Sequence, residues 1–369
     1  MSMQRGRILT VIGLVSAICS SCLGQLPPGF LHGGDVSEIP EVEAAEGEYF
    51  YHGKHEDPFV IMREAGWNFV RLRIWNHPKD AYCDKAHTLA MAVRAKAQGL
   101  KISLDFHYSD WWADPGKQTK PAAWKSLPFD KLVQATYEYT KEVVAAMIAQ
   151  DTRPYMVQNG KEILGGMLWP DGHVTSDDEA KWKQLAQLLN AGLRAVHDAQ
   201  GSERILTMIH LDRGGDNKTA VWWFNHILKE RVKFDAIGLS YYPFWHGGLE
   251  AMQSNVNDLA RRYRKDIYIV ETGYPWSIDS RSTASEHVKG DARGILAGYP
   301  PTPEGQNAFL KKVLEIIQQI PRGKGKGLLY WAPTWISPDK KPTPYDNLAL
   351  FNYNGDSLPS VDTMGGRGP

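Results

Sequence analysis

The chain is predicted to fold as a single (β/α)8 TIM barrel, and three observations carry that prediction. Eight short apolar or alternating runs recur along the 369 residues. Helical patterns fall between them, so strand and helix alternate as parallel βαβ units require. No Gly-rich phosphate loop follows the first strand, which argues against an open doubly wound sheet made of the same units. Eight such strands in about 330 residues close into a barrel.

Ahead of the barrel, Arg5 and Arg7 precede an apolar run over 8–18 and then the small residues Cys19, Ser20, Ser21, Cys22 and Gly24. A basic flank, a short apolar core and a small-residue zone read as a signal peptide over residues 1–24. The run is too short to span a bilayer. The mature protein is expected to be secreted or periplasmic. Cys22 offers a site for a lipid anchor, although Cys19-Ser20-Ser21-Cys22 matches a lipoprotein cleavage box poorly. The mature chain keeps Cys83 as its single cysteine, so it has no internal disulfide and no Cys-rich metal site. Cys83 is expected to be a packed thiol.

The barrel is expected to occupy residues 25–360. Strands are predicted over 31–36, 69–75, 102–107, 155–158, 205–210, 234–240, 267–271 and 327–331. Helices are predicted over 58–65, 86–97, 129–149, 178–199, 220–230, 249–263 and 304–320. The Gly/Pro-rich stretch 361–369 reads as a loosely ordered tail. Lys plus Arg number 42 and Asp plus Glu number 42. With no net charge, nothing draws the chain to nucleic acid or an anionic membrane. Thirteen Trp and sixteen Tyr supply core packing or, in a cleft, flat platforms on which sugars stack.

Barrel chemistry sits at the C-terminal ends of the strands, so the polar residues there are the candidates. Strand four runs into Lys161-Glu162 and strand seven ends at Glu271. Two glutamates on nearly opposite strands can share one cleft, one as nucleophile and one as acid/base of a glycosidase; salt bridges on the barrel rim are the other reading. Strand one ends at Asp35. In strand two, Arg71 and Arg73 share a face by alternation, and an inward Arg must be paired. Strand three delivers Asp105, His107, Asp110 and Trp112; strand five delivers His210 and Asp212. The two histidines come from different strands and lack an i, i+4 helical spacing, so no metal is expected. Strand six ends in Tyr241-Tyr242, either of which can bond a nucleophilic carboxylate. Trp112, Trp245, Trp276 and Trp331 are the expected sugar platforms.

These stretches together resemble the arabinogalactan endo-β-1,4-galactanases of glycoside hydrolase family 53. The resemblance runs in order from GGDVSEIP (33–40) through VRLRIWNHP, LDFHYSDWWADPGKQTKPAAW, VQNGKEILGGMLWPDG, IHLD, GLSYYPF, VETGYPW, TPEGQ and YWAPTWI to LALFNYNGDSLPS (348–360). It implies a retaining glycosidase that cuts β-1,4-galactan internally. Glu162 matches the acid/base and Glu271 the nucleophile, and no cofactor is needed. The resemblance implies a polysaccharide, β-1,4-galactan, as the partner, with no nucleic acid and no membrane span, and the enzyme is expected as a monomer.

Three positions depart from the family pattern. Lys161 stands where the family carries an asparagine expected to hold the sugar 2-hydroxyl. Lysine only donates, and its charge beside Glu162 favours the carboxylate and lowers its pKa. Ile163-Leu164-Gly165-Gly166 loses polar groups, and Ala332 replaces a usual glutamate before a short loop over 336–347. The segment 277–291 lacks the pattern through which some bacterial members bind calcium. Two other readings stay open on these residues: a galactan-binding protein without turnover, and a glycosidase of another β-linked glycan.

Overall fold

The computed structural model describes residues 26–80, 82–279, 294–338 and 341–367. The signal peptide read at 1–24 and most of the segment 277–291 lie outside the described residues. Eight parallel strands close into a barrel: β1 (Leu31–Asp35), β2 (Phe69–Ile74), β3 (Lys101–Phe106), β4 (Met156–Asn159), β5 (Leu206–Leu211), β6 (Ala236–Tyr241), β7 (Asp266–Thr272) and β8 (Gly325–Trp331). Each pairs with its neighbour in sequence, and β8 returns to β1. Every predicted strand is present.

Among the described residues, seven helices of eight or more residues lie between the strands: α1 (Pro58–Ala65), α2 (Lys85–Ala97), α3 (Phe129–Ala149), α4 (Glu179–Ala199), α5 (Asn217–Lys229), α6 (Leu249–Tyr263) and α7 (Pro303–Gln318). Asp57, Asp84, Asp178, Asp216 and Thr302 each accept a first-turn backbone N–H. These caps satisfy donors that a helix start leaves unpaired. Short pieces escaped the sequence reading because two to six residues show no period: a helix at Ile39–Ala44, another at Pro243–His246, and the hairpin pairing Gly166–Met167 with Gly172–His173.

The tail expected beyond Ser360 is corrected. A further helix, α8 (Pro359–Met364), buries Val361 and Met364. Trp67 Nε1 donates to the Val361 carbonyl at 2.9 Å, and His32 Nδ1 bonds the Met364 carbonyl at 2.7 Å. Apolar residues and tied carbonyls override the Gly/Pro signal there.

Alternation divides each strand between two environments. Leu31, Phe69, Met156, Met208, Ala236, Tyr268, Val270 and Leu329 form one apolar cluster, to which all strands but β3 contribute. Their neighbours Val70, Leu72, Val157, Ile209, Ile237, Leu239, Ile267 and Ile269 join the larger cluster made with the helices. Further along the strands, on the barrel side, the side chains turn polar: Asp35, Arg71, Asp105, Gln158, His210 and Ser240 are all buried. Register sets their heights. Asp35 lies opposite Arg71, Arg73 opposite Asp105, and Asp105 opposite Gln158. The inner cluster is thus a plug beneath a polar floor.

One irregularity matters for that floor. Between β6 and β7 the register shifts, so Leu239 faces Ile269 but Ser240 faces Glu271. Strict alternation after Tyr268 and Val270 sends Glu271 toward the helices. The extra residue re-aims it into the barrel mouth, as bulges do beside active sites.

Candidate active site

The polar floor opens into a cleft of ≈ 550 Å³ lined by Lys161, Glu162, Asp212, Arg213, Tyr242 and Glu271, and by the rings of Trp112, Trp245, Trp331, Trp335 and Tyr345. Glu162 reaches it from the turn after β4, where Gly160 has φ +92° and Glu162 itself φ +48°. A Cβ on Gly160 would meet Ile163 Cγ2 at 2.7 Å, so this turn requires glycine. The left-handed Glu162 is the kind of local strain that functional sites hold. The backbone N–H of Ile163 donates to the His210 carbonyl at 3.1 Å and ties the turn to β5.

Glu162 and Glu271 have carboxylate oxygens within 4.8 Å of each other. Arg71 organises the second of them. Its Nη2 donates to Glu271 Oε1 at 2.7 Å, Nε to Asp35 Oδ2 at 2.9 Å, and Nη1 to Gln158 Oε1 at 3.1 Å. Tyr242 donates its hydroxyl to Glu271 Oε2 at 3.4 Å. Lys161 Nζ lies 2.8 Å from Glu162 Oε2 and 3.1 Å from Glu271 Oε1, beside the Trp331 ring. The lysine joins the two carboxylates.

Their environments push them apart. Burial, reinforced by Glu271 and Asp212 and opposed by Lys161, pushes the Glu162 carboxyl up to about 7. Burial also acts on Glu271, but the charges of Lys161 and Arg71 outweigh it and hold that carboxyl below its ordinary value. For Lys161, burial disfavours the charge, yet the two glutamates prevail and raise its pKa, so it stays an ammonium.

A directed hydrogen-bond chain supports Glu162 from behind. Gln158 gives its oxygen to Arg71 and its amide to Asp105 Oδ1 at 2.5 Å, which fixes its orientation. The same amide lies 3.1 Å from His210 Nδ1, and His210 Nε2 lies 2.9 Å from Ser240 Oγ. Ser240 donates to Glu162 Oε1 at 2.5 Å. Burial, with Lys161 and Arg71 nearby, pushes the His210 pKa well down and keeps the ring neutral. His107 is likewise neutral through burial. Its Nδ1 accepts from Trp75 Nε1 at 3.1 Å and from the Ala113 N–H, and its Nε2 faces Asp105 Oδ2 at 3.4 Å.

Most of the sequence-predicted residues meet here, but not all. Asp35, Arg71, Asp105, His107, Lys161, Glu162, His210, Tyr242 and Glu271 form the connected floor. Arg73 touches neither Glu162 nor Glu271; it pairs with Asp35 at 3.5 Å and lies 4.3 Å over the Trp112 ring, bracing that wall. Asp212 lines the cleft paired to Arg213 at 2.9 Å. Three expectations are corrected. Tyr241 points outward, its ring near Phe309 and its hydroxyl donating to the Gly247 carbonyl, because alternation from Ser240 turns 241 out and 242 in. Asp110 accepts the backbone N–H groups of His77 and Ala122 and braces a loop. Trp276 donates to the Asp346 carbonyl and packs on Tyr353, away from the cleft lining.

Gln158 and Ser240 were missed, although alternation from Met156 and toward Tyr242 placed both inward. Trp335 and Tyr345 were also missed. They stack at 5.5 Å with 10° between planes, on the irregular loop after β8, where no period exists to read. Gly166 serves the hairpin: a Cβ there would meet the Gly172 carbonyl oxygen at 1.8 Å.

Cys83 is buried, and burial pushes its thiol up to about 11, the packed thiol expected of it. Among the described residues, Glu162, His210 and Glu271 form a grouping of metal-ligand type. Lys161 already supplies the cation between the carboxylates, and both His210 nitrogens are engaged.

The model of glycosyl hydrolase family 53 matches residues 31–364. An uncharacterized Niallia circulans protein is 41% identical over 91% of this chain and 93% of its own length. The arabinogalactan endo-β-1,4-galactanase of Thermothelomyces thermophilus is 34% identical over 90% of this chain and 98% of its own. Among solved structures, an Ignisphaera aggregans catalytic domain of the same family superposes with a TM-score of 0.85 at 34% identity, covering 92% of this chain and 98% of that one. A fungal β-1,4-galactanase superposes at 0.80 with 33% identity, covering 91% and 99%. A whole-barrel family match, joined to paired glutamates at the ends of β4 and β7, means that the chain belongs to glycoside hydrolase family 53 and is a glycoside hydrolase.

Proposed function

We propose that the protein is an endo-acting, retaining β-1,4-galactanase that cuts type I arabinogalactan. The observation that carries this reading is the glutamate pair: oxygens within 4.8 Å, one carboxyl raised and the other lowered. Retaining enzymes hold their carboxyls about 5–5.5 Å apart, and inverting ones about 6.5–9.5 Å apart. The named galactanases among the relatives support the substrate, and an aromatic-walled groove suits a polymer bound along its length. Secretion rests on the N-terminal leader pattern; among the described residues no helix is long and apolar enough to cross a membrane. A monomer remains part of the proposal.

In the first step Glu271 Oε2 attacks the anomeric carbon as the glycosidic C–O bond breaks, and Glu162 gives its proton to the leaving oxygen. Oε1 stays held by Arg71 and Lys161, which fixes the angle of attack. In the second step Glu162 takes a proton from water, the water oxygen bonds to the anomeric carbon, and the glycosyl ester to Glu271 breaks. Two inversions leave the β configuration. Proton NMR of the newly released reducing ends tests this: β product first, with α appearing by mutarotation, is expected. Initial α product would overturn the retaining assignment.

The pH profile has a worked sign. The donor must be protonated, so kcat/KM falls as pH rises through about 7. The nucleophile must be ionised, so kcat/KM falls again only below the ordinary carboxylate range, where Glu271 protonates. A rate that keeps rising beyond pH 8 would remove Glu162 as the acid.

The cleft walls give a further expectation. Trp245 is 54% exposed and lines the cleft. Trp245→Ala should weaken binding of galacto-oligosaccharide about 3–10-fold, the scale of one aromatic contact, by calorimetry on a Glu271→Gln background. Trp276→Ala should leave that affinity unchanged. Equal losses from both would show that the wall assignment is wrong.

A further inference from the structure

Lys161 is a buried ammonium at the cleft floor in contact with both reacting carboxylates, and the strength of its contact with the acid depends on where the acid's proton sits. His210 Nδ1 faces two donors, the Gln158 amide at 3.1 Å and the backbone N–H of Glu162 at 3.4 Å. It therefore accepts, and Nε2 carries the ring proton. Nε2–H then donates to Ser240 Oγ, so the Ser240 hydroxyl proton is directed at Glu162 Oε1. Oε1 is held as an acceptor. The proton that Glu162 delivers must reside on Oε2, the oxygen 2.8 Å from Lys161 Nζ. Protonating Oε2 removes the negative charge that the Lys161 ammonium faces there and leaves only a neutral hydroxyl oxygen as acceptor, so the Lys161 contact weakens when Glu162 holds its proton and strengthens when it does not.

The lysine has somewhere else to go. Glu271 Oε1 is already within 3.1 Å, so releasing Glu162 leaves the ammonium paired. The charge balance of the reaction then gives it a direction. Before the first step Glu162 is neutral and Glu271 is the anion. After it, Glu271 is an ester and Glu162 is the anion. One negative charge moves between the two carboxyls while the ammonium between them stays positive.

We propose that Lys161 is a positioning residue that follows this charge, resting on Glu271 while Glu162 holds the acid proton and on Glu162 Oε2 while Glu162 serves as base. The inference rests on the roles given above to Glu162 and Glu271. The groups facing Lys161 from other strands are Arg71 on β2, His107 after β3, His210 and Asp212 on and after β5, Glu271 on β7, and Trp331 on β8. Arg71 keeps its charge and both histidines are neutral, so the glutamates and Asp212 are the titrating neighbours.

The test compares the full protein with Lys161→Met and Lys161→Arg. In kcat/KM profiles on linear β-1,4-galactan, Lys161→Met loses a cation that favours both carboxylates. Both limbs are expected to move to higher pH by about one unit or more, the scale of a contact charge, while Lys161→Arg keeps them near the parent positions. Carbon-13 NMR of Glu-labelled protein reads the same shift without turnover: the Glu162 carboxyl, assigned as the signal lost in Glu162→Gln, should titrate higher in Lys161→Met. Limbs that stay in place while only the height falls, or an unmoved Glu162 titration, overturn the proposal. If none of the three cuts galactan, the galactanase reading fails, and the NMR titration still decides the role of Lys161. Should Lys161→Met not fold, Lys161→Gln removes the charge and keeps a polar partner for Glu271.

Discussion

Replacing Glu271 by Gln is expected to lower kcat on linear β-1,4-galactan by about 10⁴-fold or more, the scale seen when a covalent nucleophile is removed. An amide of the same shape cannot form the glycosyl ester, and it loses the charge that answers Arg71 and Lys161. Its oxygen still accepts from Arg71, and the walls made by Trp112, Trp331 and Trp335 are untouched. Binding of galacto-oligosaccharide should therefore survive within about tenfold. Reducing-end release with calorimetry on the same preparation separates the two quantities. If the variant retains a tenth of parental turnover, Glu271 is not the nucleophile. If the parent itself binds galactan and releases nothing, the fold has become a galactan-binding protein, the reading that Lys161 first raised.

Arg71→Met should be the most destabilising single change in the barrel mouth. The guanidinium is fully buried and bonds Asp35, Gln158 and Glu271, with Asp105 at 3.9 Å. Methionine fills similar volume, but the carboxylates lose their shared cation. Breaking a buried ionic network by removing one partner costs about 3–5 kcal/mol. Urea unfolding should register this as a lower midpoint with an unchanged slope. The control is Arg262, whose pair with Asp258 on α6 is solvent-exposed; Arg262→Ala should change nothing measurable. A loss below about 1 kcal/mol for Arg71→Met would mean that water or a rearranged Lys161 replaces the guanidinium.

The architecture was legible because its signal is local and repeated. Short apolar runs alternating with helical patterns leave one economical closure. Alternation also predicted that Arg71 and Arg73 share a face, and taken one step further it separates Tyr242 from Tyr241. It failed at β7, where the bulge beside Val270 breaks the period that places Glu271. It failed again beyond Ser360, where composition suggested looseness and α8 is held by bonds from residues about 300 positions earlier.

Sequence alone determined the barrel, the strand-end positions of Glu162 and Glu271 and the family resemblance, because strand period, helical patterns and ordered motifs are properties of neighbouring residues. Tertiary structure decided which groups touch. It set Lys161 between the two carboxylates, directed Ser240 at Glu162 through a neutral His210, removed Tyr241, Asp110 and Trp276 from the cleft, and brought Trp335 and Tyr345 into it. Those outcomes depend on strand register and on loop paths between residues far apart in the chain. The opposite displacements of the two carboxyl pKa values have the same origin: burial and the nearest cation are set by distance in space, which the order of residues does not contain.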